Sequence, residues 1–544
     1  MKSSDLLVQC LENEGVEYVF GVPGEEMLDL LDSLSRSSIK YISTRHEQGA
    51  GFMADGYGRL TGRAGVCAST LGPGAMNLTT AIADANLDHS PVVAITGQVR
   101  LDSAHKEFHQ YIDLVHAFEP ITKWNTRVDT PAVIPEVVRS AFQTAEAEKP
   151  GATHIELPED MAELETDGQP LPRTEPEAAV VSEDALKTAA ELINRSRYPI
   201  ILSGNGVIRS RASQALRDLA GRAKLPAATT FMGKGTISAE SDLHAGTIGL
   251  QARDHVICGF DRADLVIAVG YDLVEYSSRH WNPDADKAII HIDSVPAEVE
   301  ASYVPSIQLI GDIRATLARL TPLLEPRSDG VYYRRLKEFV VSEHEAHAED
   351  AGLTVAPQKI VHDIRRALGR NDVLLSDVGA HKLWIARLYP AYEPNTVLIS
   401  NGFASMGFAV PAAIAAKLVH PDRRVLAACG DGGFLMNVQE LETAHRLGLA
   451  IVYLIFNDNG YGLIKWKQMG KYNAGFGVDL GNPDFVKLAE SFGARGYRVR
   501  DAADLGHILR EAFEGEGSAV IDVPVDYGEN YKLSERLGQM ICPT

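Results

Sequence analysis

Short β-branched runs alternate with longer helix-patterned stretches along almost the whole chain, and few folds accept that rhythm. Glu17–Phe20, Lys40–Ser43, Gly65–Ser69 and Pro91–Thr96 have strand composition, and Met27–Leu34, Gln48–Leu60 and Ala75–Asn86 read as the helices between them. Strands separated by helices form βαβ units, and those build parallel sheets, because a parallel neighbour needs a long crossover. Residues 165–180 break the pattern with Pro170, Pro172, Pro176 and several acids, a linker composition. A second run has strands near Pro199–Leu202, Leu265–Val269 and Ala288–Ile292. A charged helical stretch, Tyr333–Asp350, leads to Pro357 and a third run with strands at Val373–Ser376, Val425–Cys429, Ile451–Phe456 and Ala519–Val523. The expected fold class is α/β, with three doubly wound parallel-sheet domains at 1–165, 185–335 and 357–544. Linkers at 166–184 and 336–356 join them. A chain of 544 residues is too long for one core, which agrees with several domains.

Charge narrows the function. The 73 acidic residues against 52 basic ones give −21, a surface that repels nucleic acid and anionic lipid. An anionic substrate then needs local positive groups or a metal. Cys10, Cys67, Cys258, Cys429 and Cys542 are scattered, with no CxxC pair, so neither a zinc knuckle nor a disulfide framework is expected. The first residues lack a basic segment followed by an apolar run, and no stretch reaches the length of a membrane span. A cytoplasmic protein is expected.

Three segments carry chemistry. In the third run a strand ends in Gly430-Asp431-Gly432-Gly433-Phe434, with a helix expected from near Asn437. Glycines at a strand's carboxyl end let backbone N–H groups approach a phosphate, and Asp431 adds a hard oxygen ligand suited to Mg²⁺. The next strand ends in Asn457-Asp458-Asn459-Gly460, one helix and one strand further on, so Asp431 and Asp458 emerge at one sheet edge. The alternative is a pair of Gly/Asp turns. In the first run Glu47 opens a helix after Ser43-Thr44-Arg45-His46, either as a functional acid or as a complement to the helix dipole. Leu71-Gly72-Pro73-Gly74-Ala75-Met76-Asn77 is again strand, glycine turn and helix. Two other motifs are weaker. Ser203-Gly204-Asn205-Gly206 is similar to a dinucleotide turn but lacks the third glycine. His344-Glu345-Ala346-His347 lacks HExxH spacing and reads as a solvated part of a charged linker.

Phe20-Gly21-Val22-Pro23-Gly24, Arg45-His46-Glu47, Gly72-Pro73-Gly74, Ile121-Thr122-Lys123, Ser405-Met406-Gly407-Phe408, Gly430-Asp431-Gly432 and the Asp458 segment together resemble the thiamine-diphosphate enzyme family, and within it the acetolactate synthase branch. The resemblance implies a pyrimidine-binding, a central and a diphosphate-binding domain. It implies that Glu47 hydrogen-bonds the aminopyrimidine ring of thiamine diphosphate, and that Met406 bends the cofactor while the carbonyl of Ala404 receives its amino group. Asp431, Asp458 and the carbonyl of Gly460 would hold Mg²⁺. His381, Gly430, Gly432 and Gly433 would lie along the diphosphate, and Gly24, Pro73 and Asn77 would line the rest of the cofactor. Gln110 falls where the branch has an active-site glutamine, which would orient a 2-keto acid such as pyruvate. Decarboxylases that release aldehyde typically have His-His in this loop, whereas this chain has His109-Gln110. The implied reaction joins two pyruvates into 2-acetolactate, in a homodimer or homotetramer. A non-ligating decarboxylase and a flavin-dependent pyruvate oxidase are the rival readings.

Some positions depart from the biosynthetic pattern of the branch. Residues 270–276, Gly-Tyr-Asp-Leu-Val-Glu-Tyr, lack the arginines of a flavin segment, so FAD is expected to be absent. Lys467, beside Trp466, stands where a Trp shapes the site for a larger acceptor. Glu25, Ala380 and Asp458 also differ from the commoner residues. These features resemble the catabolic, FAD-independent type.

Overall fold

The computed structural model describes residues 1–174, 179–249, 255–327 and 331–530. Pro176, Cys542 and the rest of 531–544 lie outside them. The first sheet contains β1 (Tyr18–Gly21), β2 (Lys40–Ser43), β3 (Gly65–Ser69), β4 (Val92–Gln98), β5 (Trp124–Arg127) and β6 (Ala152–Pro158). Its order is β2-β1-β3-β4-β6-β5, and every pairing is parallel. β3 and β4 are buried along their whole length, as strands covered by helices on both faces must be.

The second sheet has β7 (Pro199–Ser203), β8 (Ala227–Thr229), β9 (His244–Thr247), β10 (Leu265–Val269), β11 (Ala288–Asp293) and β12 (Ile307–Ile310). Its order, β12-β11-β10-β7-β8-β9, is the Rossmann order. The third has β13 (Val373–Ser376), β14 (Val397–Ile399), β15 (Val425–Gly430), β16 (Val452–Asn457), β17 (Arg495–Arg498) and β18 (Ala519–Pro524). Its order, β14-β13-β15-β16-β18-β17, repeats the first sheet strand for strand. The expected three doubly wound α/β units are therefore present. The expected boundary at 335/336 falls inside the helix Val331–Glu345, which packs on β9 and on the helix Pro357–Ala367.

Strand order places the sites. In the outer sheets the order reverses between β1 and β3 and between β13 and β15, and a crevice opens there at the carboxyl ends. Gly24 and Thr70 meet at the first crevice, and His381 and Gly430 at the second.

The outer units share one core. Phe52 and Met53 on the helix Glu47–Thr61 join Phe408, Val410 and Ala412 in a single buried cluster. The Phe52 and Phe408 rings meet edge to face at 5.8 Å. A Cβ on Gly56 would lie 3.1 Å from the Ala412 methyl, so the missing side chain lets this helix and the helix Ala409–Val419 approach closely. The central unit has two clusters of its own, one on each face of its sheet.

Candidate active site

At the edge of the third sheet β15 ends in extended backbone at Gly430, and the helix begins directly at Asp431. The expected start near Asn437 is thus six residues too late. Gly432 and Gly433 belong to the first helical turn because neighbours crowd it. A Cβ on Gly433 would lie 2.6 Å from Asp377 Oδ2, and one on Gly432 2.9 Å from the Tyr461 ring. Asp431 is buried. Its Oδ1 accepts from Gly432 N at 3.0 Å, and its Oδ2 from Gly460 N at 3.1 Å and Asn482 Nδ2 at 2.6 Å.

Asp458 follows β16. Burial, and then the charge of Asp431, push its carboxyl up to about 7, and burial also raises that of Asp431. Among the described residues no ion pair reaches either acid. Two adjacent carboxylates, one buried and one half-buried, without a basic partner are costly unless a cation joins them. Beside them the His381 ring lies against Gly430 and stacks on Phe456 at 5.4 Å. Burial pushes it down to about 3, and its Nε2 is buried with no hydrogen-bond partner. An unpaired imidazole nitrogen, a helix N-terminus and two hard acids form a donor set that fits a diphosphate with its divalent metal.

A second loop closes over this edge. Ala404 adopts left-handed backbone at φ 56°, and Gly407 follows at φ 88°. Asp377, buried and raised to about 7 by that burial, accepts from Gly407 N at 2.9 Å, while Asn437 Nδ2 donates to Gly407 O at 2.8 Å. Met406 is half-buried between these anchors.

The first unit supplies the other half. Glu47 is the first residue of its helix, after His46, whose Nδ1 accepts from Gln48 N at 3.1 Å. The Glu47 carboxylate accepts from Asn77 Nδ2 at 2.9 Å and lies against Gly74. Gln110 holds left-handed backbone at φ 55°, with its carbonyl packed on Gly72. Two residues singled out from the sequence, Gln110 and Ala404, thus stand in a conformation that non-glycine residues adopt at a cost of about 1–3 kcal/mol, and such strain gathers at functional sites. Pro73, Met76, Asn77, Phe108 and Gln110 are exposed on this face. Among the described residues no hydrogen bond or ion pair joins Glu47 or Gln110 to Asp431 or Asp458.

The residues that hold the halves in place have no local signature. Glu440, wholly buried and raised to about 7 by burial, accepts from Arg45 N at 3.0 Å, His46 N at 3.1 Å and Thr443 Oγ1 at 2.7 Å. It fixes the backbone leading into Glu47. The Arg59 guanidinium reaches Asp55 at 2.8 Å, Asp84 at 3.2 Å and Asp88 at 2.7 Å, all three acids buried. Asp88 in turn accepts from Asn401 N and Gly402 N, and Asp84 from Ser400 Oγ and Ser405 N. A buried charge network on the first unit thereby fixes the third-unit loop bearing Ala404 and Met406. Asn482, which holds Asp431, belongs to a Gly-Asn-Pro segment. That composition signals a bend and no ligand role.

In the central unit the turn after β7 packs on Gly270 and Glu275 at the end of β10. A Cβ on Gly204 would lie 2.3 Å from Gly270 O. Asn205 N donates at 2.9 Å to Glu275, which also accepts from Thr230 and is raised to about 7 by burial. Asp272 pairs with Lys149 and with His89. The backbone donor that would meet a dinucleotide phosphate already serves a carboxylate. Lys467 is exposed and Trp466 half-buried on the helix Gly462–Tyr472. The reading of His344 as solvated is corrected: the helix folds back on the third unit and buries it to 7% exposure.

Two crevices of one topology, one with paired acids at a helix capped by Gly430 and the other with a helix-start glutamate, define an α/β enzyme with a candidate site at each edge. Residues 1–117 match the model described as thiamine pyrophosphate enzyme, N-terminal TPP binding domain, 186–320 match the central domain, and 377–523 match the C-terminal TPP binding domain. The chain belongs to the thiamine pyrophosphate enzyme family. It is 37% identical to an acetolactate synthase of Bacillus subtilis, covering 98% of this chain and 95% of that protein. It is 38% identical to a catabolic acetolactate synthase of Raoultella terrigena, covering 98% and 97%. It is also 37% identical to a probable acetolactate synthase large subunit of Methanocaldococcus jannaschii, covering 97% and 93%. Among the described residues no helix is long and apolar enough to cross a membrane.

Proposed function

We propose that this chain is an acetolactate synthase, joining two molecules of pyruvate into 2-acetolactate with loss of CO₂. Full-length likeness to acetolactate synthases carries the reading, and the sites described above support it. Thiamine diphosphate, when bound, supplies the carbanion chemistry that removes CO₂ and transfers the two-carbon fragment. The protein's part is placement and proton handling. Asp431, Asp458 and the Gly460 carbonyl would hold Mg²⁺, and His381 with the Gly430–Gly433 backbone would hold the diphosphate. Glu47 would take or give a proton at the aminopyrimidine ring. Met406 and the Ala404 carbonyl would hold the cofactor between its rings, and Gly24, Pro73 and Asn77 would bound the pyrimidine end. Gln110 would orient the keto acid with a neutral amide, which itself gives no proton to the fragment before the second pyruvate arrives.

The exposed face around Asn77 and Gln110 supports completion of each site by a second copy. The assembly is at least a homodimer. The bond from Asn205 N to the buried Glu275 at the turn after β7 supports operation without FAD, since a diphosphate at that turn would face a carboxylate. The net charge of −21 supports a cytoplasmic protein with no nucleic-acid partner.

Product identification tests the reading. Purified chain given pyruvate, thiamine diphosphate and Mg²⁺ yields 2-acetolactate, is colourless, and scatters light as a dimer or larger. Free acetaldehyde as the main product would identify a non-ligating decarboxylase, and tightly bound flavin with acetate formation would identify an oxidase.

A further inference from the structure

Three side chains meet where the helix Val331–Glu345 crosses the helix Pro357–Ala367. His344 and Glu345 come from the first, and His362 from the second. The imidazole centroids are 5.3 Å apart. Glu345 Oε2 lies 3.5 Å from His362 Nε2, and its Oε1 lies 3.9 Å from His344 Nε2. One ligand atom from each residue falls within 4.8 Å of the other two. Donors around a tetrahedral zinc ion stand roughly 3.4 Å from one another, so small side-chain rotations close the set.

Two further observations point to a ligand. His344 is buried, and no hydrogen bond to its Nδ1 fixes the tautomer, so Nε2, the nitrogen 3.9 Å from Glu345, can offer its lone pair. Behind His362, Asp363 Oδ1 lies 3.1 Å from Nδ1 and is itself held by Lys359 at 3.0 Å. A carboxylate behind an imidazole orients the ring and raises its basicity toward a metal. Glu345 is exposed, which leaves room for water as a fourth ligand.

We propose that His344, Glu345 and His362 form a binding site for a zinc-class dication, separate from the oxygen-ligand site at Asp431 and Asp458. Two imidazoles and one carboxylate suit zinc, whereas all-oxygen donors suit Mg²⁺. The ion would fasten the helix that leaves the central unit to the first helix of the third unit.

The test uses the full chain saturated with thiamine diphosphate and excess Mg²⁺, freed of transition metals and titrated with Co²⁺. The expected result is a visible d–d absorption band that saturates at one Co²⁺ per chain and is displaced by Zn²⁺. Glu345→Gln and His362→Gln should each weaken that binding by roughly tenfold or more. Zn²⁺ should also raise the thermal unfolding midpoint of the parent chain and not that of Glu345→Gln. Should His362→Gln fail to fold, Glu345→Gln decides, because its side chain is exposed. Absence of the band, or equal Co²⁺ affinity in Glu345→Gln and the parent, overturns the proposal.

Discussion

Glu440 offers a test in which two substitutions of one residue act in opposite directions. The native chain holds its carboxyl at about 7 through burial, while an unfolded chain releases that proton near the ordinary 4.5. The native state therefore binds the proton more tightly across that interval, and this group's contribution to stability falls as pH rises from about 4.5 to about 7 and then levels. At about 1.4 kcal/mol for each tenfold, the ionised form costs roughly 3 kcal/mol above pH 7. Glu440→Gln has the same shape without the charge and keeps a carbonyl oxygen for the Arg45 and His46 N–H groups. It should match the parent near pH 5 and exceed it by up to roughly 3 kcal/mol at pH 8. Glu440→Ala removes the acceptor from both N–H groups and should destabilise at either pH, by about 1–3 kcal/mol for each group left unpaired. Thermal unfolding midpoints of the parent and both variants, loaded with cofactor at pH 5 and pH 8, read the difference. A Gln variant offset by the same amount at both pH values, or less stable than the parent at pH 8, would refute the argument.

Asp431→Ala should lose thiamine diphosphate on gel filtration in Mg²⁺, since the diphosphate would lose its counter-charge; retention equal to the parent's would remove Asp431 from the metal site. Glu47→Gln should fold normally and slow proton exchange at C2 of bound thiamine diphosphate by roughly 10²-fold or more, read by NMR, and an unchanged rate would reject its role. Arg59→Met leaves Asp55, Asp84 and Asp88 buried without their cation and should cost about 3–5 kcal/mol at pH 8. Because Asp84 is already raised by burial and by its acidic neighbours, that deficit should shrink as pH falls and the acids take up protons. An unfolding midpoint like the parent's at pH 8 would show the network to be dispensable. With Lys467 in place of an aromatic wall, 2-ketobutyrate should gain little over pyruvate, since one methylene is worth only about 1–3 kcal/mol even in a shaped pocket. Strong enrichment of 2-acetohydroxybutyrate in a competition assay would contradict this.

Features with a local period were legible in the sequence. β2, β3, β10 and β13 fall where composition placed them, because buried parallel strands are short β-branched runs between turn residues. The helix at Glu47 and the Gly430–Asp431 edge were legible for the same reason: a strand end, a glycine or acid, and a helix start follow one another along the chain. The residues that position them were not. Glu440 is 395 positions from Arg45, and Ser400 is 316 from Asp84, so neither pair leaves a mark in any window of sequence. His344 looked solvated because its neighbours are charged. Only the packing of one helix on another buries it. The helix start at Asp431 was misplaced because a Gly-Gly pair is read as loop unless crowding by Asp377 and Tyr461 is known.

The shared core of the outer units also sets an order of events during synthesis. The helix Glu47–Thr61 is buried on nearly all sides, and part of its cover is the helix Ala409–Val419, which leaves the ribosome some 350 residues later. At about 5–20 residues per second that interval lasts roughly 20–70 s. Throughout it the central unit emerges and closes its own two cores, while Phe52, Met53 and the glycine-lined groove beside them wait without a partner. The nascent first unit is thus an adhesive surface with a fixed exposure time. Any change that slows elongation through the central unit lengthens that exposure without altering one contact of the finished protein, and the yield of folded enzyme should fall with it.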